Sequence, residues 1–146
     1  MYLLDTNIIS LVAPERNRND REEALAKWIA SQSDSLYLSV ITIAEIESGI
    51  ARLNRLGMSR KAAAFTKWSR DILDAHEKRI LPLDIASARL AGQLFDRATG
   101  AGNNPSFSDA AIAATASIHD LVALTRNKID FQAFQISYLD PYDALI

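Results

Sequence analysis

Apolar residues follow three rhythms along this chain. The first is the short, mostly apolar run: Tyr2-Leu3-Leu4, Leu36 to Ile41, Ile80 to Leu83, Leu121 to Leu124 and Ile136 to Leu139. Each reads as a buried strand, rich in β-branched or aliphatic side chains. Pro82 cannot donate to a ladder, so the third run belongs at an edge. The second rhythm is the three- and four-residue step of an amphipathic helix. Ala24, Leu25, Trp28 and Ile29 mark one helix, capped by Asn19 or Asp20 after the charged loop 15–23. Ile43, Ile46, Ile50 and Leu53 mark a second, opening at Thr42 and closed by Gly57. A third runs from Ser59 to about Arg79 with Ala62, Phe65, Trp68, Ile72 and Leu73 inward. A fourth runs from an Asp84 cap to about Ala98, and Thr6 to Val12 predicts a short helix stopped by Pro14. The third rhythm is unrelieved. After a turn-rich loop at 99–105 and a cap at Ser106 or Ser108, residues 110–118 are apolar on almost every side, which predicts a helix buried all round.

Strands alternating with helices predict an α/β fold: a parallel, doubly wound sheet of about five strands with helices on both faces. No repeat, low-complexity tract or linker interrupts the 146 residues, so one domain spanning 1–146 is expected. In such sheets ligands bind outside the carboxyl ends of the strands. The side chains at those ends therefore carry the functional question.

Composition narrows the chemistry. The chain has no cysteine and two histidines, His76 and His119. That excludes a disulfide framework, cysteine-based zinc sites, a thiol nucleophile and a multi-histidine metal centre within one chain. Absence of cysteine fits a reducing, cytoplasmic setting. The N-terminus lacks the basic region of a signal peptide, and no stretch approaches the ~18 apolar residues of a membrane span. No membrane association is expected. Net charge is −2, so any handling of nucleic acid must rely on a local basic patch. Residues 52–79 supply one candidate, with eight Lys and Arg against Asp71, Asp74 and Glu77. Such a run is either a solvated helix face or a track for an RNA backbone. Trp28, Phe65 and Trp68 fall on inward stripes and read as packing. His76 reads as a surface residue, and His119 as the cation at a helix C-terminus.

Three acids stand at strand ends or helix starts. Asp5 follows the first strand. Glu45 lies three residues after Thr42, and Asp109 three after Ser106. Each alone has a local explanation. Asp5 suits a turn, Thr42-x-x-Glu45 a capping box, and Asp109 the positive end of a helix dipole. Their convergence at one end of a doubly wound sheet is what the local explanations do not cover. Carboxylates gathered within ~4–6 Å raise one another's pKa, and a fold tolerates the repulsion when a cation neutralises it. Oxygen ligands without His or Cys select Mg²⁺, or Mn²⁺, over zinc, and such a metal points to phosphoryl chemistry. Beyond the fourth strand, Thr125 is placed to orient a metal-bound water, while Asn127 either caps the next helix or joins the site. Arg126 and Lys128 are candidates for phosphate contact or simple solvation.

These segments carry a resemblance. Leu3-Leu-Asp5-Thr6-Asn7, Thr42-Ile-Ala-Glu45-Ile-Glu-Ser-Gly49, Ser108-Asp109-Ala-Ala-Ile-Ala-Ala-Thr115 and Leu124-Thr-Arg-Asn127-Lys-Ile-Asp130-Phe131 resemble the four motifs of the PIN domain, in particular the VapC-type toxins of bacterial toxin–antitoxin pairs. The resemblance runs from Leu3 to Asp140-Pro141. It implies a Mg²⁺-dependent endoribonuclease silenced by a cognate antitoxin whose tail enters the acidic site, and a homodimer. It carries Asp5, Glu45 and Asp109 over as the catalytic acids, with Asp5 and Asp109 on the metal and Glu45 either on a second metal or orienting the water. Asn7, Thr125 and Asn127 become groups that position substrate or water. One departure stands out. Many members have an acid directly after the Arg of the fourth motif; here that position is Asn127, and Asp130 is the nearby replacement.

Three rival readings bear on the same residues. A phospho-acceptor domain of the response-regulator type wants adjacent acids after the first strand and a late Lys-Pro, and this chain has neither. A haloacid-dehalogenase-like phosphatase wants Asp-x-Asp, and Asn7 replaces the second Asp. A catalytically inactive PIN-fold module that binds RNA or protein remains compatible with intact acids.

Overall fold

The structure is a computed structural model that describes residues 1–144; the last two positions of the expected 1–146 domain lie outside the described residues. The chain runs β1 (Tyr2–Leu4), α1 (Thr6–Ile9) with a 3₁₀ continuation over Ser10–Val12, α2 (Asp20–Ser31), β2 (Leu36–Ser39), α3 (Val40–Arg55) and α4 (Ser59–His76). It continues with β3 (Ile80–Leu81), α5 (Ile85–Gly100), α6 (Phe107–Ile118), β4 (Val122–Leu124), α7 (Lys128–Phe134), β5 (Tyr138–Leu139) and α8 (Pro141–Ala144).

All strand pairs are parallel, and the sheet order is β3-β2-β1-β4-β5. The chain winds outward from β1 to β3, then crosses back to lay β4 against the other side of β1. The winding direction therefore reverses between β1 and β4, and a crevice opens beyond their carboxyl ends. Asp5, the first residue past β1, is tied there by its N–H, which donates to the Leu124 carbonyl at 2.9 Å.

Strand alternation divides the core into two. Leu3 and its register partner Ala123 face α5, α6 and α7, where Leu94, Ile112, Phe131 and Phe134 are buried. The next pair, Leu4 and Leu124, faces the opposite layer with Ile8, Leu25, Ile46 and Ile72. On the first face α6 is buried continuously from Ala110 to Ala116, as its unrelieved apolar stretch predicts; Ile118 at its end is exposed. On the second, α3 closes through Gly57, whose φ of 75° is open to glycine. There the Gly57 N–H reaches the Asn54 carbonyl and the Met58 N–H reaches Leu53, satisfying carbonyls the helix leaves orphaned.

The third and fifth apolar runs form strand only over Ile80–Leu81 and Tyr138–Leu139, half-buried where buried strands were expected. Two further expectations are corrected. The second strand stops at Ser39 instead of reaching Ile41, and α3 begins two residues before Thr42. β3 pairs with β2 only as far as Leu81 opposite Ser39, so Val40 and Ile41 have no ladder to join. The Ser39 hydroxyl instead accepts the Ile41 N–H at 3.1 Å and caps the helix. Thr42 is consequently not a capping residue. It is buried within the first turn, and its hydroxyl accepts a hydrogen bond from Thr6 at 3.2 Å, joining α3 to α1. The second correction is His76, expected at the surface. It is buried at the end of α4, where burial holds its pKa below the ordinary value and Nδ1 lies 3.1 Å from the Ile72 carbonyl.

Candidate active site

Asp5 occupies the reversal point of the sheet. Although it stands at the N-cap position of α1, its side chain makes no capping bond. The Thr125 hydroxyl, at the end of β4, donates to Asp5 Oδ2 at 2.6 Å, and the Asn7 amide donates to the same oxygen at 2.6 Å. Thr125 is fully buried, and its oxygen accepts the Asn127 N–H at 2.9 Å and lies 3.3 Å from the Asn7 amide. Its hydrogen-bonding capacity is thus spent on holding Asp5 and the start of the following loop. Thr125 thus grips the Asp5 carboxylate. Asn7 is exposed, and its side-chain Oδ1 accepts the Arg126 N–H at 3.3 Å.

Burial pushes the Asp5 carboxyl up to about 7. The hydrogen bonds from Thr125 and from the Thr6 backbone pull it down, while the charges of Asp109 and Glu45 push it further up. Asp109 rises in the same direction, again chiefly through burial, with the Asp130 and Glu45 charges adding to it. Asp109 sits in the first turn of α6, where its N–H donates to the capping Ser106 hydroxyl at 3.0 Å. Each acid is therefore placed by a local rule: a strand end for Asp5, a helix cap for Asp109. The crossover that lays β4 beside β1 makes them neighbours.

The fourth motif forms a helical turn. Asn127 is the N-cap of α7, and Asp130 falls in the first turn of that helix. The Asn127 amide nitrogen donates to Asp109 Oδ2 at 2.9 Å and to Asp130 Oδ2 at 2.8 Å. Asn127 thus both caps α7 and bridges two of the acids. Asp130 joins the cluster through Asn127 and through its charge. Lys128 points away, paired with Asp140 at 3.2 Å and with Asp143. The Arg126 guanidinium lies 5.1 Å from the Tyr142 ring centre.

Glu45 projects from the second turn of α3. It is half-buried on the wall of a cavity that Thr6 also lines, and its charge is felt at both Asp5 and Asp109. Among the described residues no group of three or more His, Cys, Asp or Glu is placed to hold a metal ion together. One buried and one half-buried carboxylate suit a cation that keeps much of its water, which is the habit of Mg²⁺. The donor set fits such an ion. It is all oxygen, and both carboxyls are forced toward their neutral forms unless a positive charge joins them.

Sequence reading singled out neither the Thr6–Thr42 contact nor Ser39. A serine at the end of a β-rich run, followed by helical periodicity, was the available signal for the cap. No helix among the described residues is long and apolar enough to cross a membrane.

The chain is similar to known proteins in sequence and fold. Residues 2–137 match the PIN domain family. The chain is 34% identical over 143 residues to Toxin FitB of Neisseria gonorrhoeae, covering 97% of this chain and 99% of that protein. It is 31% identical over 144 residues to VapC ribonuclease Y4jK of Sinorhizobium fredii, covering 98% and 99%. The crystal structure of FitAcB from Neisseria gonorrhoeae superposes with a TM-score of 0.80 at 35% identity, covering 97% of this chain and 99% of that one.

Proposed function

The chain belongs to the PIN domain family, and from that footing we propose that it is a divalent-metal-dependent endoribonuclease, the toxin half of a toxin–antitoxin pair. The whole chain, 1–146, acts as one nuclease domain in the cytoplasm. The observation that carries this reading is the pairing of Asp5 and Asp109 beyond β1 and β4, with both carboxyls disfavoured in their charged forms when no cation is present. A relative described as a VapC ribonuclease supports RNA as the substrate. The acids themselves would permit DNA as well.

Asp5 and Asp109 would hold Mg²⁺, with Mn²⁺ a substitute. The ion would supply charge to stabilise the phosphorane-like transition state and lower the pKa of an attacking water. Thr125 fixes the rotamer of Asp5 through the 2.6 Å bond. Asn127 bridges Asp109 and Asp130 by donating to both, so neither carboxylate faces the other bare. Glu45 orients the attacking water from the cavity wall, and Asn7, exposed beside Asp5, positions substrate. No 2′-hydroxyl nucleophile is needed, so the products carry 5′-phosphate and 3′-hydroxyl ends.

A relative described as a toxin supports a partner that restrains this one. The cognate antitoxin would place a basic side chain among Asp5, Glu45 and Asp109, substituting for the charge of the metal. Arginine matches paired carboxylates best, through bidentate bonds. A homodimer accompanies this reading.

The test is cleavage of a mixed RNA pool by the purified chain, with Mg²⁺ or with EDTA, followed by end-group mapping. Metal-dependent products with 5′-phosphates support the proposal. Intact RNA under every metal condition would leave an inactive binding module, and 2′,3′-cyclic ends would exclude the hydrolytic route.

A further inference from the structure

Beside Glu45 lies a cavity of about 240 Å³, lined by Thr6, Ser10, Lys61, Phe65 and Trp68 among others. A second cavity of about 360 Å³ continues beyond it toward Arg16 and Asn17. Ser10, Lys61 and Phe65 line both, so Lys61 and Phe65 of α4 form a low ridge between them. The near cavity adjoins the acid site, because Glu45 lines it and Thr6 follows Asp5 directly.

The ridge has two chemical features. The Lys61 ammonium lies 5.8 Å from the centre of the Phe65 ring, and among the described residues no carboxylate pairs with it. The other cation lining these cavities, Arg16, is engaged with Glu22 at 2.9 Å. Phe65 is half-buried and held edge-on by Trp68, with centroids 5.7 Å apart. One uncommitted cation and one braced aromatic ring therefore stand next to a cluster of acids.

We infer that the Lys61–Phe65 ridge is a nucleotide subsite, where Lys61 binds the phosphate next to the scissile one and Phe65 stacks on the base it carries. The inference deepens the ribonuclease reading and rests on it. A polyanion approaching Asp5, Glu45 and Asp109 needs positive charge close by, and Lys61 is the cation placed to give it. Single-strand binding combines such a charge with aromatic faces that accept any base. An arginine-bearing protein tail fits this position less well, because Lys61 repels it.

The experiment uses a fluorescein-labelled, mixed-sequence oligoribonucleotide of about twelve nucleotides, long enough for a single-strand site. Its binding is followed by anisotropy in EDTA over a range of KCl concentrations. Wild type is compared with Phe65→Leu, which keeps bulk and loses the ring, with Lys61→Gln, and with Lys27→Gln on the exposed side of α2. Thermal melts verify folding, and Lys61→Gln, which keeps the aliphatic stem, tests the site independently of the ring. Phe65→Leu should weaken binding by about fivefold or more, the lower end for loss of one stacked base. Lys61→Gln should reduce the slope of log K against log salt by about 0.7, the value for one phosphate contact on a single strand. Lys27→Gln should match wild type. Affinities within twofold and parallel slopes for all four proteins, or no binding by wild type, overturn the subsite and leave the groove to a protein partner. The nuclease reading is separated by adding Mg²⁺ to the same oligonucleotide. Cutting by wild type with parallel slopes sinks the subsite alone; the expected losses of binding without cutting uphold the subsite and sink the nuclease.

Discussion

Thr125 and Asp5, 120 positions apart, meet in a 2.6 Å hydrogen bond from the Thr125 hydroxyl to Asp5 Oδ2. The bond joins the ends of β4 and β1 at the one place where the sheet reverses its winding. It also opposes the burial that drives Asp5 toward its neutral form. Thr125→Val keeps the shape and removes the hydroxyl. The acid limb of the cleavage pH profile should then move to higher pH by about one unit, a change worth 1.36 kcal/mol. An unmoved limb with an unchanged maximal rate would mean that Thr125 does not control Asp5.

The elevated Asp5 carboxyl makes metal-free stability depend on pH in a defined sense. The folded group titrates at about 7 and the ordinary value is 3.8. Between these values the folded chain keeps a proton that the unfolded chain has lost, so stability falls as pH rises. The loss approaches on the order of 4 kcal/mol above pH 7, at 1.36 kcal/mol per unit. Asp109 contributes with the same sign. In EDTA, wild type should melt lower at ~pH 8 than at ~pH 5, and Asp5→Asn should remove much of that difference. Added Mg²⁺ should raise the wild-type melting temperature at ~pH 8 and do far less for the variant. Melting curves that ignore both pH and metal would argue against a strained acid pair.

Asn127 and Asp130 divide the work of the fourth motif. Asp130→Ala should raise the Mg²⁺ requirement and lower the rate more than tenfold, about 1.4 kcal/mol of lost transition-state stabilisation. Asn127→Ala removes the donor shared by Asp109 and Asp130 together with the cap of α7, so it should also lower the melting temperature. A metal-titrated cleavage assay on both variants decides. Near-normal Asp130→Ala beside a crippled Asn127→Ala would leave Asn127 as the residue that matters.

Ser106→Ala probes how the fold places Asp109. The serine hydroxyl accepts the Asp109 N–H, and losing such a cap costs about 1 kcal/mol. Denaturant titration should register that loss without a change in slope. The variant should also need more Mg²⁺, because a bond that favours the charged Asp109 is gone.

The architecture was legible because each layer writes its own pattern. Leu3 and Leu4 read as one apolar run since a parallel strand is buried on both faces, and Ala110 to Ala116 read as buried all round for the same reason. The acid pair was legible through topology: a doubly wound sheet gathers its strand ends, so Asp5 and Asp109 were expected to meet. Register was not. Val40 and Ile41 favour strands by type, and only the early end of β3 leaves them in a helix. His76 was misplaced because its burial comes from neighbours on α1 and α2, such as Ile9 and Ile29, that line the same groove. The bond from Thr125 to Asp5 depends on which strands adjoin, and a local pattern carries no record of that.

The most direct test is the Mg²⁺ dependence of RNA cleavage by wild type and Asp109→Asn, measured side by side on one 5′-labelled RNA pool. Both proteins should show the same far-ultraviolet circular dichroism spectrum. Wild type should cut with a saturable Mg²⁺ requirement and stop in EDTA, while Asp109→Asn should leave the RNA intact at every Mg²⁺ concentration. Equal cutting by the two proteins, or cutting by wild type that persists in EDTA, would contradict a metal held between Asp5 and Asp109.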